Sequence, residues 1–175
     1  MKRFILLVSF IFASSILVLN AQETRFKAIM LYQFTKLVGW PQLEAQNPNQ
    51  EFVIGIYGDP KVFELTEYYT KGKKVGANTI KVEYYNTVKE INKCQILFVA
   101  YSKTQYLPVI IQRVGESSPT LIATSRPGAL KYGSIVNFVI DNELMKVEIN
   151  NTTALKRQLQ ISYQLQKAAI NVIEP

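Results

Sequence analysis

Three short segments carry the residues best suited to gripping a small anion: Gly58-Asp59, Tyr101-Ser102 and Thr124-Ser125-Arg126. A glycine lets backbone approach a ligand, helix N-termini supply unpaired N–H groups, and Arg126 offers a two-pronged fork to carboxylate or phosphate. Asp59 and Ser102 are equally explained as helix caps. The stretch from Gly55 to Gly58 lacks the glycine-rich turn and later acidic residue of a dinucleotide site. Trp40, in a Gly39-Trp40-Pro41 corner, joins Tyr32 and Phe34 in an aromatic group that is either core or the wall of a pocket or interface. Asn137 sits between Val136 and Phe138 in an apolar run, so its amide must be hydrogen-bonded, to the neighbouring Gly133-Ser134 turn or to a ligand.

What is missing excludes whole mechanisms. The chain has no histidine and a single cysteine, Cys94. Without imidazole there is no Ser-His-Asp or Cys-His couple and no ordinary zinc site, so neither a metal nor a cofactor is expected. Cys94 precedes the apolar run Ile96-Leu97-Phe98-Val99 and reads as an inert core thiol. One thiol closes no intrachain disulfide, so stability must come from a core that 48% apolar residues can build. Spacing pairs no carboxylates into an acid/base dyad.

The positioning elements begin after residue 21. Lys2 and Arg3 precede an apolar run from Phe4 to Leu19 that stops at Asn20-Ala21-Gln22, the pattern of a secretory signal peptide with cleavage after Ala21. An uncleaved anchor is the alternative. No cysteine follows the run, which speaks against a lipid-modified N-terminus. Residues 22–175 are then of a length that forms one domain. The formal charge of +7 is spread along the chain except at Lys71, Lys73 and Lys74, beside Gly72 and Gly76. A solvated loop explains that cluster better than a nucleic-acid patch, and no nucleic-acid partner is expected.

Periodicity then sets the elements. Phe26, Met30, Phe34, Leu37 and Val38 recur at helical spacing up to Gly39-Trp40-Pro41, and a polar loop follows. Phe52 to Tyr57 is a strand buried on both faces, and Asp59-Pro60 starts a helix through about Tyr69. Ile80, Val82 and Tyr84 alternate with polar residues, as in a half-covered strand near a sheet edge. Val88 to Asn92 has room for a helical turn or two, Gln95 to Ala100 is a buried strand, and Ser102 heads a helix to Val114 that Pro108 kinks or delays. A short strand, Thr120 to Ala123, precedes a β-hairpin of Val136–Ile140 and Leu144–Ile149. From about Thr153 to Val172, Leu155, Leu159, Ser162, Leu165, Ala169 and Val172 share one stripe, with Lys156, Arg157, Gln160 and Lys167 largely elsewhere, which predicts a long amphipathic helix. The expected fold is α/β: a mainly parallel central sheet with helices on both faces, a C-terminal β-hairpin and that long helix. In such a sheet the three anion-suited segments gather at one edge.

Several of these residues together resemble a known pattern. Lys27-Ala28, Leu31-Tyr32-Gln33-Phe34, Lys36, Val38 and Trp40-Pro41 look like the opening signature of the YfiR-like family of exported proteins. The likeness runs on through Phe52 to Asp59, Cys94 to Val99, Pro127-Gly128, Gly133 to Phe138, and Ile161-Ser162 with Leu165. It implies a periplasmic regulator, often a homodimer, that binds the periplasmic part of an inner-membrane diguanylate cyclase and restrains cyclic-di-GMP synthesis. Two departures stand out. A single cysteine replaces the disulfide pairs of some members, and Gly133-Ser134 replaces a usual double glycine, which matters if that glycine served a positive φ.

Three functions compete. An interaction module that holds a membrane receptor in one state needs no titrating nucleophile, and a basic chain suits an acidic receptor domain. A sensor would capture a small anionic ligand at the strand-end crevice, through Asp59, Ser102 or Arg126, with Asn137 a separate candidate for ligand contact. An enzyme is the weakest reading, since only carboxylates, Lys, Tyr and Cys94 remain to act. Export has a direct check: N-terminal sequencing of the protein from a periplasmic extract should begin at Gln22, and an intact leader in the cytosol would contradict it.

Overall fold

The computed structural model describes residues 21–41 and 50–175, so residues 1–20 of the expected leader and most of the loop after Pro41 lie outside the described residues. Residues 21–37 form helix α1, and Val38–Gly39 a short strand β1. Ala28, Leu31, Phe34 and Val38 are its buried face, while Phe26, Met30 and Leu37 pack at the margin. The core-facing stripe therefore centres a little aside from the residues that periodicity picked.

After β1 come β2 (Phe52–Tyr57), helix α2 (Pro60–Thr70), β3 (Lys74–Val75) and β4 (Asn78–Tyr85). A 3₁₀ turn, Val88–Glu90, leads to β5 (Ile96–Val99). A second, Tyr101–Tyr106, runs directly into helix α3 (Leu107–Val114). Strand β6 (Leu121–Thr124), a 3₁₀ turn (Ala129–Tyr132) and the hairpin β7 (Val136–Asp141) and β8 (Leu144–Asn150) follow. The eight strands order as β10-β8-β7-β6-β5-β2-β4-β3, where β10 is Asn171–Ile173. Strands β4, β2, β5, β6 and β7 are mutually parallel, and antiparallel pairs occur at β7 with β8 and β4 with β3.

The chain steps from β2 outward to β4, then back across β2 to β5 and on to β6. Right-handed crossovers in opposite directions put α2 and α3 on opposite faces of the sheet. Burial agrees. Ile54 and Ile56, Ile96 and Phe98, and Leu121 and Ala123 face α1 and Val62 of α2. Leu97, Val99 and Ile122 face Leu107 and Ile110 of α3. The fold is thus α/β with a mostly parallel, doubly covered sheet. The hairpin turns through Asn142 and Glu143, both at positive φ (48° and 64°), the two-residue geometry whose twist suits a hairpin.

The C-terminal segment corrects the sequence reading. No long helix runs from Thr153 to Val172; the chain forms α4 (Asn151–Lys156), β9 (Gln160–Ile161), α5 (Tyr163–Ala168) and β10 instead. Gln158 is left-handed (φ 59°), its N–H donates to Leu155 O, and Leu159 N donates to Ala154 O at 2.9 Å, which together end α4. Ile161 and Gln160 then pair antiparallel with Val38 and Gly39, and Ser162 restarts a helix by accepting from Leu165 N. Pairing with β1 and burial of Leu159 outweigh the helical pattern, and Leu155, on the supposed apolar stripe, is half exposed.

Arg157, expected on the outer face, is only 2% exposed. Its Nη1 donates to the carbonyls of Gly115 and Ser118 at 3.0 and 3.1 Å, fastening the turn after α3 to the end of α4. Burial lowers its pKa, and nearby Glu116 works in the opposite direction. Arg157→Ala leaves two carbonyls without their donor and is expected to cost about 2–4 kcal/mol in urea unfolding, while Lys156→Ala next to it should cost under about 0.5 kcal/mol.

Candidate functional site

At the carboxyl edge of the sheet, Tyr57, Val99 and Thr124 stand in register at the ends of β2, β5 and β6. The strand order reverses between β2 and β5, the place where open parallel sheets form ligand crevices. Here that crevice is filled. Ala100 N donates to Tyr57 O at 3.0 Å, the Lys103 ammonium lies 5.6 Å from the Tyr57 ring centroid, and the Lys103 stem rests where a side chain on Gly58 would project. Gly58 has φ +85°, so this close approach and this backbone both require glycine.

The sequence-predicted residues are therefore divided rather than gathered. Asp59 caps α2, its Oδ1 accepting from Val62 N at 3.1 Å. Ser102 is exposed and caps nothing: the segment is a 3₁₀ turn, and α3 starts only at Leu107 with Pro108 in its first turn. Pro108 delays the helix because its ring removes a donor and is tolerated only there. Arg126 is exposed in a cavity of about 320 Å³ with Thr104, Pro108 and Tyr132.

Asn137 is fully buried on the α3 side of the sheet. Thr124 Oγ1 donates to its Oδ1 at 2.8 Å, and its Nδ2 donates to Glu148 Oε2 at 3.1 Å. Ser134 Oγ lies 2.9 Å from Thr124 Oγ1 and reaches Val136 O at 2.7 Å, so the turn is tied in through Thr124. Gly133, not Ser134, has the positive φ (95°), so a serine at that point carries no backbone strain. Trp40 is 5% exposed; it meets Phe52 edge-on at 5.1 Å, and its indole N–H donates to Pro119 O at 2.9 Å. It is core, although it borders a 630 Å³ opening at the amino edge with Cys94 and Glu51. Lys71, Lys73 and Lys74 are exposed, the first two in the loop after α2 and Lys74 in the short strand β3.

Sequence reasoning missed the larger opening at the carboxyl edge, a groove of about 840 Å³ between the Asn86–Lys89 turn and α3. Lys89, Lys103 and Arg113 provide its charge, and Tyr57, Tyr106 and Val109 its apolar wall. Arg113 is held in place by donating to Ile91 O and Lys89 O. Glu90, beside it, accepts from Asn86 N and Thr87 Oγ1, bonds that hold its pKa low, and burial, Tyr106 and the Glu90 charge together raise the pKa of Tyr57 in the groove wall. One signal was available in the sequence, Val109 set among Gln112 and Arg113 on the outer side of an apolar helix.

The one thiol is not armed. Cys94 is buried in the same apolar cluster as Tyr85, and burial, with Glu83 nearby, pushes its pKa from 9.0 up to about 12. Among the described residues no group of three or more His, Cys, Asp or Glu side chains could hold a metal ion. Because the folded thiol resists ionisation, Cys94 stabilises the native state below pH 9 and that contribution fades as pH climbs toward about 12. Urea midpoints compared at pH 8 and pH 10.5 should fall further for wild type than for Cys94→Ala, and iodoacetamide at pH 8 should label the thiol only after denaturant is added.

No curated protein matches this chain. Among the described residues no helix is long and apolar enough to cross a membrane. A family model described as YfiR/HmsC-like matches residues 24–169, from the second turn of α1 to the end of α5. Those limits take in every strand of the sheet except β10, the hairpin and both carboxyl-edge cavities, and the chain therefore belongs to the YfiR/HmsC-like family.

Proposed function

We propose that this protein is an exported periplasmic regulator that binds the periplasmic part of an inner-membrane signalling protein, by family a diguanylate cyclase, and restrains it. The observation that carries this reading is the family match over residues 24–169. The chemistry of the chain supports it: there is no histidine, and the one thiol is buried and hard to ionise. Recognition of another protein needs neither.

A second reading, a periplasmic small-ligand sensor acting on a different receptor, is favoured by one feature. Arg126 is a guanidinium facing a 320 Å³ cavity of a size to admit a small anion. Under that reading Arg126→Ala abolishes any response to the ligand while partner binding is kept; under the first there is no ligand response to lose, and any effect falls on partner binding alone.

Crosslinking the mature protein in intact cells, followed by purification, tests the first reading. An inner-membrane signalling protein should be recovered, and deletion of the gene should raise cellular cyclic-di-GMP. Reproducible recovery of no membrane partner would reject it.

A further inference from the structure

The carboxyl edge carries an exposed ridge bearing tyrosine and valine side chains, flanked by two basic grooves. The ridge is the 3₁₀ turn Tyr101–Tyr106 with the first turns of α3. On one flank Lys103, Tyr106 and Val109 follow at three-residue spacing and wall the 840 Å³ groove. On the other, Thr104 and Pro108 wall the 320 Å³ cavity that Arg126 and Tyr132 close. Tyr101 is 61% exposed, Val109 54% and Tyr132 68%, and Tyr106 is exposed as well. Side chains of this size left in water within one neighbourhood are the mark of a contact surface.

Charge decides what covers it. Lys89, Lys103 and Arg113 line one groove and Arg126 the other, and no carboxylate lines either among the described residues. Glu90, the acidic residue beside the first groove, keeps its charge but is bonded to Asn86 N and Thr87 Oγ1 and is outnumbered there by Lys89, Lys103 and Arg113. A centre of tyrosine and valine side chains with a rim that is basic on balance selects a partner with an apolar or aromatic centre and an acidic rim, and it disfavours a second copy of itself. The mostly apolar lining and wide mouth of the larger groove suit a protein segment more than an enclosed small molecule.

We propose that the ridge at Tyr101–Val109, with the Lys89/Lys103 and Arg126 grooves beside it, is the surface that docks an acidic face of the periplasmic domain of the membrane signalling protein. This rests on the proposed function and adds its place. The ridge inserts between acidic side chains of the partner, which the lysines and arginines meet from either side. Tyr57 and Gly58 beneath hold Lys103 in position, so the rim is set before the partner arrives.

Photo-crosslinking locates the contact. The full chain carries p-benzoylphenylalanine at Val109 or Tyr132, or, as exposed controls on other elements, at Tyr68 or Tyr163. After irradiation of intact cells, Val109 and Tyr132 should yield adducts with an inner-membrane signalling protein through a peptide rich in Asp and Glu, and the controls several-fold less. The double variant Val109→Asp, Lys89→Glu should then bind that protein's purified periplasmic domain at least about tenfold more weakly, with unchanged circular dichroism and melting temperature. If the double variant melts lower, Tyr132→Ser replaces it. Adducts at Tyr68 or Tyr163 in place of Val109, adducts of Val109 with a second copy of this chain, or variant binding within twofold of wild type overturn the docking site while leaving the regulator reading intact. Chemical crosslinking that recovers no membrane partner at all rejects the regulator reading itself.

Discussion

Strands β2, β5 and β6 are apolar on both sides, and that single constraint organises the molecule. A strand such as Ile96-Leu97-Phe98-Val99 sends Ile96 and Phe98 one way and Leu97 and Val99 the other, and both sets are fully buried. Each side must be roofed, so the chain crosses to β4 over one face and to β6 over the other. The reversal of direction between β2 and β5 follows, and with it the place where a crevice should open. In this protein the stem of Lys103 occupies that place, and the open space is moved outward onto the α3 side.

Closing the crevice changes the kind of chemistry the edge offers. A deep slot with glycine and helix N-termini would hold a phosphate; a ridge with exposed tyrosines and lysines on its flanks presents area instead. The basic groups are held apart by apolar side chains rather than focused on one point. Arg113, which lines the larger groove, and Arg157, which is buried, both donate to backbone carbonyls, Arg113 to the turn before β5 and Arg157 to the turn after α3. Both arginines brace the ends of the connections around α3, so the ridge stands on a fixed base.

The C-terminal segment shows why periodicity alone misleads. Leu155, Leu159, Leu165, Ala169 and Val172 recur as on a helix, yet Leu155 faces solvent and Leu159 is fully buried in a turn. A stripe of apolar residues says that one side is covered; it does not say that the backbone is continuous. Two distant residues, Val38 and Gly39, offer Gln160 and Ile161 a strand partner, and that long-range pairing together with the left-handed Gln158 breaks the helix. The same ambiguity touched Ser102, which carries the side chain of a cap but stands at the head of a 3₁₀ turn, because Pro108 has no N–H to give and fits only a first helical turn.

By itself the sequence determined the elements whose signals are local: the doubly apolar strands, the Asp59-Pro60 helix start, the hairpin around Asn142-Glu143, the inert Cys94 and the want of any histidine. Those follow from side-chain period, backbone preference and residue chemistry, all of which act between near neighbours. Tertiary structure alone decided that Arg157 is buried, that Trp40 hydrogen-bonds Pro119, that Asn137 is satisfied by Thr124 and Glu148, and that Lys103 fills the switch-point crevice. Each of these depends on which distant backbone or side chain arrives beside it, and that is set by how the strands are ordered across the sheet rather than by any residue's neighbours along the chain.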